Sequence, residues 1–388
     1  MNDRYGHDAG DDLLVQVSER LRALGRSSDI VGRIGGDEFA IASAGIGGAE
    51  EALELAERTR SALAAPMYAG RHTVDPSVTI GIALGSTGST ATRLVRRAEQ
   101  AMHFGKTLGR NRCEVFDDEM QDRLEYRNDL EAHVREAIAD GELLVFYQPF
   151  ADATTGRIAA VEALARWDHP VHGLLAAAEF VHLAEDGGLI RDLDAWVLRR
   201  ACTEAAAWGF GQGDPRFTMY VNLSARQVFD EDLLWRVRAT LHETGLASSR
   251  LSFELTEHAA VPAETATLEV LNALRGDGIG LAIDDFGTGY AALGYLRDLP
   301  VTTIKLDKSF ADRIETAERD RLIVATIAGM AKQMGILTVA EGVERESQLT
   351  ALASLGVDQV QGFHISPPQP AEVIGALLAE GAGVGGLA

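Results

Sequence analysis

The chain has 388 residues, 46% of them hydrophobic and 24% charged, a balance that fits a soluble globular protein with room for two domains and excludes a disordered or fibrous one. A net charge of -22 excludes non-specific adhesion to nucleic-acid polymers or anionic membranes, which requires an excess of lysine and arginine. Cys113 and Cys202 stand far apart with no CxxC or Cys/His spacing, so they imply neither a zinc site nor a disulfide framework and suit a reducing, cytoplasmic compartment. The opening Met1-Asn2-Asp3-Arg4 has no apolar core behind it, so no signal peptide is expected. The most apolar long window, Leu322 to Ala340, is broken by Lys332 and Gln333 and does not suit a membrane span.

Asn2 to Asp11 is rich in turn formers, and Leu13, Leu14, Val17, Leu21 and Leu24 behind it are spaced to bury one face of a helix. Asp29 to Ile34 and Phe39 to Ala42 read as strands of a hairpin closed at Gly35-Gly36-Asp37-Glu38. The glycines allow a close approach of backbone to phosphate, and the acids place carboxylates at the turn. Taken alone, such a hairpin is more often only a hairpin.

Together these residues resemble the GGDEF family of diguanylate cyclases, which condense two GTP molecules into cyclic di-GMP. Gly35-Gly36-Asp37-Glu38-Phe39 carries the signature, and the Asn-Asp-x-x-Gly-His-x-x-Gly-Asp opening matches from Asn2 to Asp11. The resemblance implies an α+β, nucleotidyl-cyclase-like domain over residues 1–117. In it Asn2 and Asp11 contact guanine, Asp37 and Glu38 bind metal, and Lys106 and Arg110 contact phosphate. Arg26 and Asp29, the ends of Arg26-Ser27-Ser28-Asp29, match the family's inhibitory site for cyclic di-GMP. The chain opens inside the family's pattern, without the upstream helix, the first central strand and the metal-binding aspartate on that strand. His103, Gly105 and Glu99 also replace the usual Tyr, Ala and Asp. Divalent cations are held by oxygen count and geometry, so this truncated domain is expected to bind GTP and regulate while making little or no cyclic di-GMP.

A polar run, Asp117 to Asn128, passes into a helix with Leu130, Val134 and Ile138 four apart. No Gly/Ser-rich or Pro-rich linker intervenes, and residues 118–130 read as a helical connector. One phrase then repeats: a short apolar run, a polar residue at its carboxyl end, an amphipathic helix. The runs are Leu144 to Tyr147, Ile158 to Val161, Phe217 to Val221, Leu251 to Phe253, Ile279 to Ile283, Thr302 to Ile304, Ile336 to Val339 and Asp358 to Val360. Helical stretches such as Leu193 to Trp208, Leu233 to Thr244, Thr265 to Leu274 and Asp320 to Met334 separate most of them, which predicts a βα barrel. Pro149 to Arg157 is too short for a crossover helix, so the first two runs are expected to be antiparallel.

The residues ending these runs are Gln148, Glu162, Asn222, Glu254, Asp284 with Asp285, Lys305, Glu341 and Gln361. Adjacent carboxylates such as Asp284 and Asp285 are costly unless a cation offsets them. Any one of these residues alone is as readily a helix cap or a satisfied polar group. Jointly they occupy the face where a barrel gathers its active site. An oxygen-rich set without cysteine or histidine suits Mg²⁺ or Mn²⁺, and its carboxylates and amide suit two ions assisting attack of water on a phosphate ester. Lys305 is placed to orient the nucleophile or to stabilise developing negative charge.

The same residues resemble the EAL family of cyclic di-GMP phosphodiesterases. Glu162-Ala163-Leu164-Ala165-Arg166-Trp167 carries the signature, and Tyr147-Gln148-Pro149, Val221-Asn222-Leu223-Ser224, Glu254-Leu255-Thr256-Glu257, Asp284-Asp285-Phe286-Gly287-Thr288-Gly289, Lys305-Leu306-Asp307, Ala340-Glu341-Gly342-Val343-Glu344 and Gln361-Gly362-Phe363 follow in order. The resemblance implies a TIM-like (β/α)8 barrel of EAL type with one antiparallel strand over residues 131–381, and a flexible tail at 382–388. It implies that Glu162, Asn222, Glu254, Asp284 and Asp285 hold two divalent ions. Glu341 would act as general base or complete the second ion's shell, and Lys305 would position water. Glu257 and Glu344 would order the loop after Asp285, while Gln148, Arg166 and Gln361 contact the dinucleotide. His169 and His172 read as loop residues, and Trp167 as a packing aromatic. The resemblance further implies a homodimer that hydrolyses cyclic di-GMP to linear pGpG. The alternatives are a bifunctional cyclase and phosphodiesterase in a longer native chain, and a non-catalytic cyclic di-GMP receptor.

Overall fold

Helix formers and strand formers alternate through the chain, and the computed structural model describes them over residues 7–69, 72–107, 109–209, 217–256, 265–287 and 299–380. Two units result, one through Asp129 and one from Leu130.

In the first unit the expected amphipathic helix runs His7–Leu24 and buries Leu21 against Leu63 and Met67, with Leu13 and Val17 packed on the same cluster. Strands β1 (Ile30–Gly35) and β2 (Glu38–Ala42) form the antiparallel hairpin, and Phe39 and Ile41 add their side chains to that cluster. Strands β3 (Met67–Ala69) and β4 (His72–Val74) make a second short hairpin. Strands β5 (Ile80–Ala83) and β6 (Cys113–Phe116) pair in parallel through a crossover helix, Ala91–Thr107. The helix lies directly on β5: a Cβ at Gly81 would stand 1.9 Å from the Ala98 carbonyl oxygen, so only glycine fits. Among the described residues the β1–β2 and β5–β6 ladders do not join.

The stretch expected to be a helical connector, 118–130, is helical and continuous with the helix expected after it. One helix runs Asp118–Asp140, its first turn capped by the Asp117 carboxylate, which accepts from the Met120 N–H at 2.7 Å. The polar run is the first half of that helix, because Glu, Gln, Arg and Leu favour helix whether or not they are buried.

In the second unit β7 (Leu143–Asp152), β8 (Ile158–His169), β10 (Thr218–Asn222), β11 (Leu251–Thr256), β12 (Gly280–Phe286), β13 (Thr303–Leu306), β14 (Leu337–Ala340) and β15 (Gln359–Gln361) close into a ring, with β9 (Gly173–Ala176) added to the outer end of β8. The reversed strand is β7, antiparallel to both β8 and β15; the other ring pairings are parallel. Helices Ile190–Ala207, Leu233–Thr244, Thr265–Gly276 and Glu318–Met334 fall where the periodicity placed them. The expected bounds are corrected in places: β7 runs five residues past the predicted end at Tyr147, β8 runs eight past Val161, and β9 was not predicted. Gly-Leu-Leu-Ala has little β-propensity, and its strand state comes from pairing with Arg166–His169. Among the described residues no helix is long and apolar enough to cross a membrane.

Candidate metal centre at the barrel mouth

Side chains of a strand alternate between faces, so residues two apart share one. Phe150, Ala160, Tyr220, Ala282 and Val339, from five different strands of the ring, form one buried cluster, which is possible only inside it. Two positions nearer the mouth stand Gln148, Glu162, Asn222, Asp284 and Glu341. The apolar floor and the polar layer above it are consecutive inward positions of the same strands. Gln148 obeys the rule with its number falling because β7 is reversed, and it pairs directly with Glu162.

Glu254, Lys305 and Gln361 enter the same layer from β11, β13 and β15. The Lys305 ammonium, 1% exposed, lies 2.7 Å from Glu341 Oε1, 2.9 Å from Glu254 Oε2, 3.2 Å from Asp284 Oδ1 and 3.5 Å from Glu162 Oε2. Glu162 also accepts from Asn222 Nδ2 at 2.9 Å and from Gln361 Nε2 at 2.7 Å. Gln361 donates to Gln148 Oε1 at 3.1 Å, and Gln148 donates onward to the Ser366 carbonyl. Asp284, Asp285 and Glu341 bring carboxylate oxygens within 4.8 Å of one another. Asp285 adopts φ +54°, unusual for an aspartate, and its N–H donates to Asp284 Oδ1 at 3.0 Å.

The charges set one another's titration. Burial favours a neutral Lys305, yet Glu162, Glu254, Glu341 and Asp284 hold its pKa well above the ordinary value. Burial also works against ionised Glu162, but Lys305 and the hydrogen bonds from Gln361 and Asn222 keep it below the usual carboxylate range. Burial and then Glu162 raise Glu254 well above that range, with Lys305 opposing. Burial pushes Glu341 up to about 7; Lys305 opposes the shift, and Asp284 and Glu162 add to it. Burial and Asp284 raise Asp285. Between the ordinary carboxyl value and about 7 the folded chain therefore holds a proton on Glu341 that the unfolded chain has lost. In chelator the protein is expected to lose stability as pH rises through that window, by on the order of 3 kcal/mol. Thermal unfolding at pH 5 to 8 in EDTA checks this, and a melting temperature that climbs across the window contradicts it.

The donors fit hard divalent cations. Glu254 Oε1 is buried with no hydrogen-bond partner among the described residues, as is Gln361 Oε1, and these are oxygens a cation would satisfy. Of the remaining predicted residues, Arg166 lies four positions beyond Glu162 on the same face of β8, its guanidinium bonded to the Ala165 carbonyl and 5.7 Å from the Phe146 ring. Glu344 is exposed, and its N–H donates to Gln348 Oε1. Glu257 and the tail lie outside the described residues. His169 is buried at the end of β8, its Nδ1 accepting from the Val171 and His172 N–H groups; Trp167 is fully buried and donates to Glu142.

In the first unit Lys106 Nζ lies 4.0 Å from Glu38 Oε1, and Asp37 and Asp11 are exposed. Arg110 takes φ +60° in the turn after the crossover helix. Asp29 closes its own turn by accepting from the Arg26 N–H at 2.7 Å, and the Arg26 guanidinium pairs with Glu51 at 3.6 Å. Asn2 lies outside the described residues. Sequence reasoning missed Phe150, whose ring centre is 5.7 Å below Lys305 Nζ, and Ser366; the period-two offset from Gln148 would have found Phe150.

A reversed strand in an otherwise parallel ring, with acids collected at the carboxyl-terminal mouth, is the architecture of EAL-type barrels. Residues 131–368 match the EAL domain family model, and the chain belongs to that family; residues 1–112 match the model for the diguanylate cyclase GGDEF domain. The chain is 39% identical over 380 residues to the bifunctional diguanylate cyclase/cyclic di-GMP phosphodiesterase MucR of Pseudomonas aeruginosa, covering 98% of this chain and 55% of that protein. It is 38% identical over 371 residues to the cyclic di-GMP phosphodiesterase NbdA of the same organism, covering 95% and 47%. The chain thus spans about half the length of these curated relatives. The solved structure of the PaMucR phosphodiesterase in complex with c-di-GMP is similar at TM-score 0.60 and 39% identity, over 63% of this chain and 99% of that one.

Proposed function

We propose that the chain hydrolyses cyclic di-GMP to linear pGpG with two divalent ions, Mg²⁺ or Mn²⁺. The observation that carries this reading is the convergence of Glu162, Asn222, Glu254, Asp284, Asp285 and Glu341 with Lys305 at one mouth, with no member of the expected set replaced. The relatives named above for cyclic di-GMP hydrolysis support the substrate.

Bound ions would supply a water of lowered pKa and neutralise phosphate charge. Glu162, Asn222, Glu254, Asp284 and Asp285 are the residues that would hold them. Glu341, raised towards neutrality, is poised to take the proton of the attacking water at its carboxylate. The Lys305 ammonium, bonded to Glu341, orients that oxygen and stabilises charge developing on the phosphate. Gln148 and Gln361, linked to each other and to Glu162, and Arg166 above them, would contact the dinucleotide. Glu257 and Glu344 would order the loop that follows Asp285. In the first unit Asp11, Asp37, Glu38, Lys106 and Arg110, with Asn2, would bind GTP without condensing it, and Arg26 and Asp29 would bind cyclic di-GMP; the assembly would be a homodimer.

Purified chain with cyclic di-GMP and Mg²⁺ or Mn²⁺ is expected to yield pGpG, to stop in EDTA, and to form little or no cyclic di-GMP from GTP. Binding without turnover would leave the receptor reading in its place.

A further inference from the structure

We infer that Lys305 sets the affinity of this site for divalent ions, because its ammonium already occupies the oxygens those ions require. The inference rests on the proposed function only for the ions themselves, not for the substrate.

An ammonium carries three donor hydrogens, and the one on Lys305 faces four carboxylate oxygens, from Glu162, Glu254, Asp284 and Glu341, at 2.7 to 3.5 Å. Three of those groups are metal ligands in the reading above, and the fourth is its general base. An ion entering their shell therefore meets a unit positive charge a few ångströms away in a poorly screened pocket, and the two cations repel strongly there. Nor can the ammonium retreat downward. The Phe150 ring lies 5.7 Å beneath it, and Ala160, Tyr220, Ala282 and Val339 fill the space around that ring.

The same contacts have an opposite value before ions arrive. Side-chain exposures of 0% for Glu254, 8% for Glu162, 16% for Asp284 and 21% for Glu341 leave these acids little water to screen their mutual repulsion, and Lys305 is the cation among them. The lysine thus acts as an internal counter-ion that lets the acidic layer assemble, at the expense of ion affinity.

Lys305→Met, which keeps the stem and removes the charge, tests this in the full chain. Mn²⁺ binding by calorimetry is expected to tighten by about tenfold or more. The melting temperature in EDTA is expected to fall below wild type, and saturating Mn²⁺ to recover most of the difference. Lys305→Arg, which keeps the charge, is expected to bind Mn²⁺ close to the wild-type affinity. If Lys305→Met does not fold in EDTA, refolding on addition of Mn²⁺ is the supporting result. Unchanged or weaker Mn²⁺ affinity, or a variant that Mn²⁺ does not recover, overturns the inference. Loss of the phosphodiesterase reading shows separately, as absent turnover with the Mn²⁺ affinity gap intact.

Discussion

Glu162→Gln is expected to lower kcat for cyclic di-GMP by about a thousandfold or more, the scale seen when one member of a catalytic unit is removed. Glutamine keeps the volume at this buried position and removes the charge. Glu162 Oε1 and Oε2 accept from Asn222, Gln361 and Lys305, so its carboxylate is the acceptor on which three inward side chains are oriented. An amide offers one acceptor oxygen and turns an NH₂ towards donors, which both breaks that arrangement and deprives an ion of an anionic ligand. Circular dichroism should show the fold retained, since the strand carrying the residue is paired with β7 from Ile158 to Trp167 and with β9 beyond. Turnover above a tenth of wild type would remove Glu162 from the metal set.

Gly362→Ala is expected to destabilise the barrel by about 3 kcal/mol or more, at the upper end of overpacking costs because the obstacle is backbone. A Cβ there would stand 2.2 Å from both the Val343 nitrogen and its carbonyl oxygen. The two segments are laced together, with Val343 N–H donating to the Gln361 carbonyl at 3.0 Å and His364 N–H donating to the Val343 carbonyl at 2.9 Å. Separating them moves Gln361 and Glu341 apart in one step, so activity should fall alongside the melting temperature. An alanine variant with wild-type stability and turnover would show that these segments yield without consequence.

The candidate site was legible in the sequence because strand periodicity is short-range: an apolar run that meets a polar residue announces its inward face in a few letters, although β8, β11, β12 and β13 continue past that residue. Asn222, Asp284, Lys305 and Glu341 lay where that rule put them. What the rule could not carry was distance through space. That one ammonium touches acids from three strands and from the residue just after a fourth depends on ring closure, which no local pattern encodes. The extension of β8 past Val161 was hidden because Glu162 and Arg166 are polar on an inward face, which breaks the alternation a half-buried strand shows. Residues 118–140 were read as a helical connector passing into a helix, and helix propensity with the Asp117 cap makes the two one continuous helix.

The overlong hairpin has an outcome for how the molecule can vary. From Glu162 to Trp167, β8 climbs about 16 Å at the usual strand rise, still laddered to β7 and, at its top, to β9. Above the acid layer β8 thus carries Arg166 on an extension that stays paired with its neighbours. Its backbone ladder holds it upright whatever side chains it bears, while the acids below are fixed by one another and by Lys305. Side-chain change along this extension therefore leaves its backbone pairing in place, whereas change among the acids below disturbs every contact of Lys305 at once.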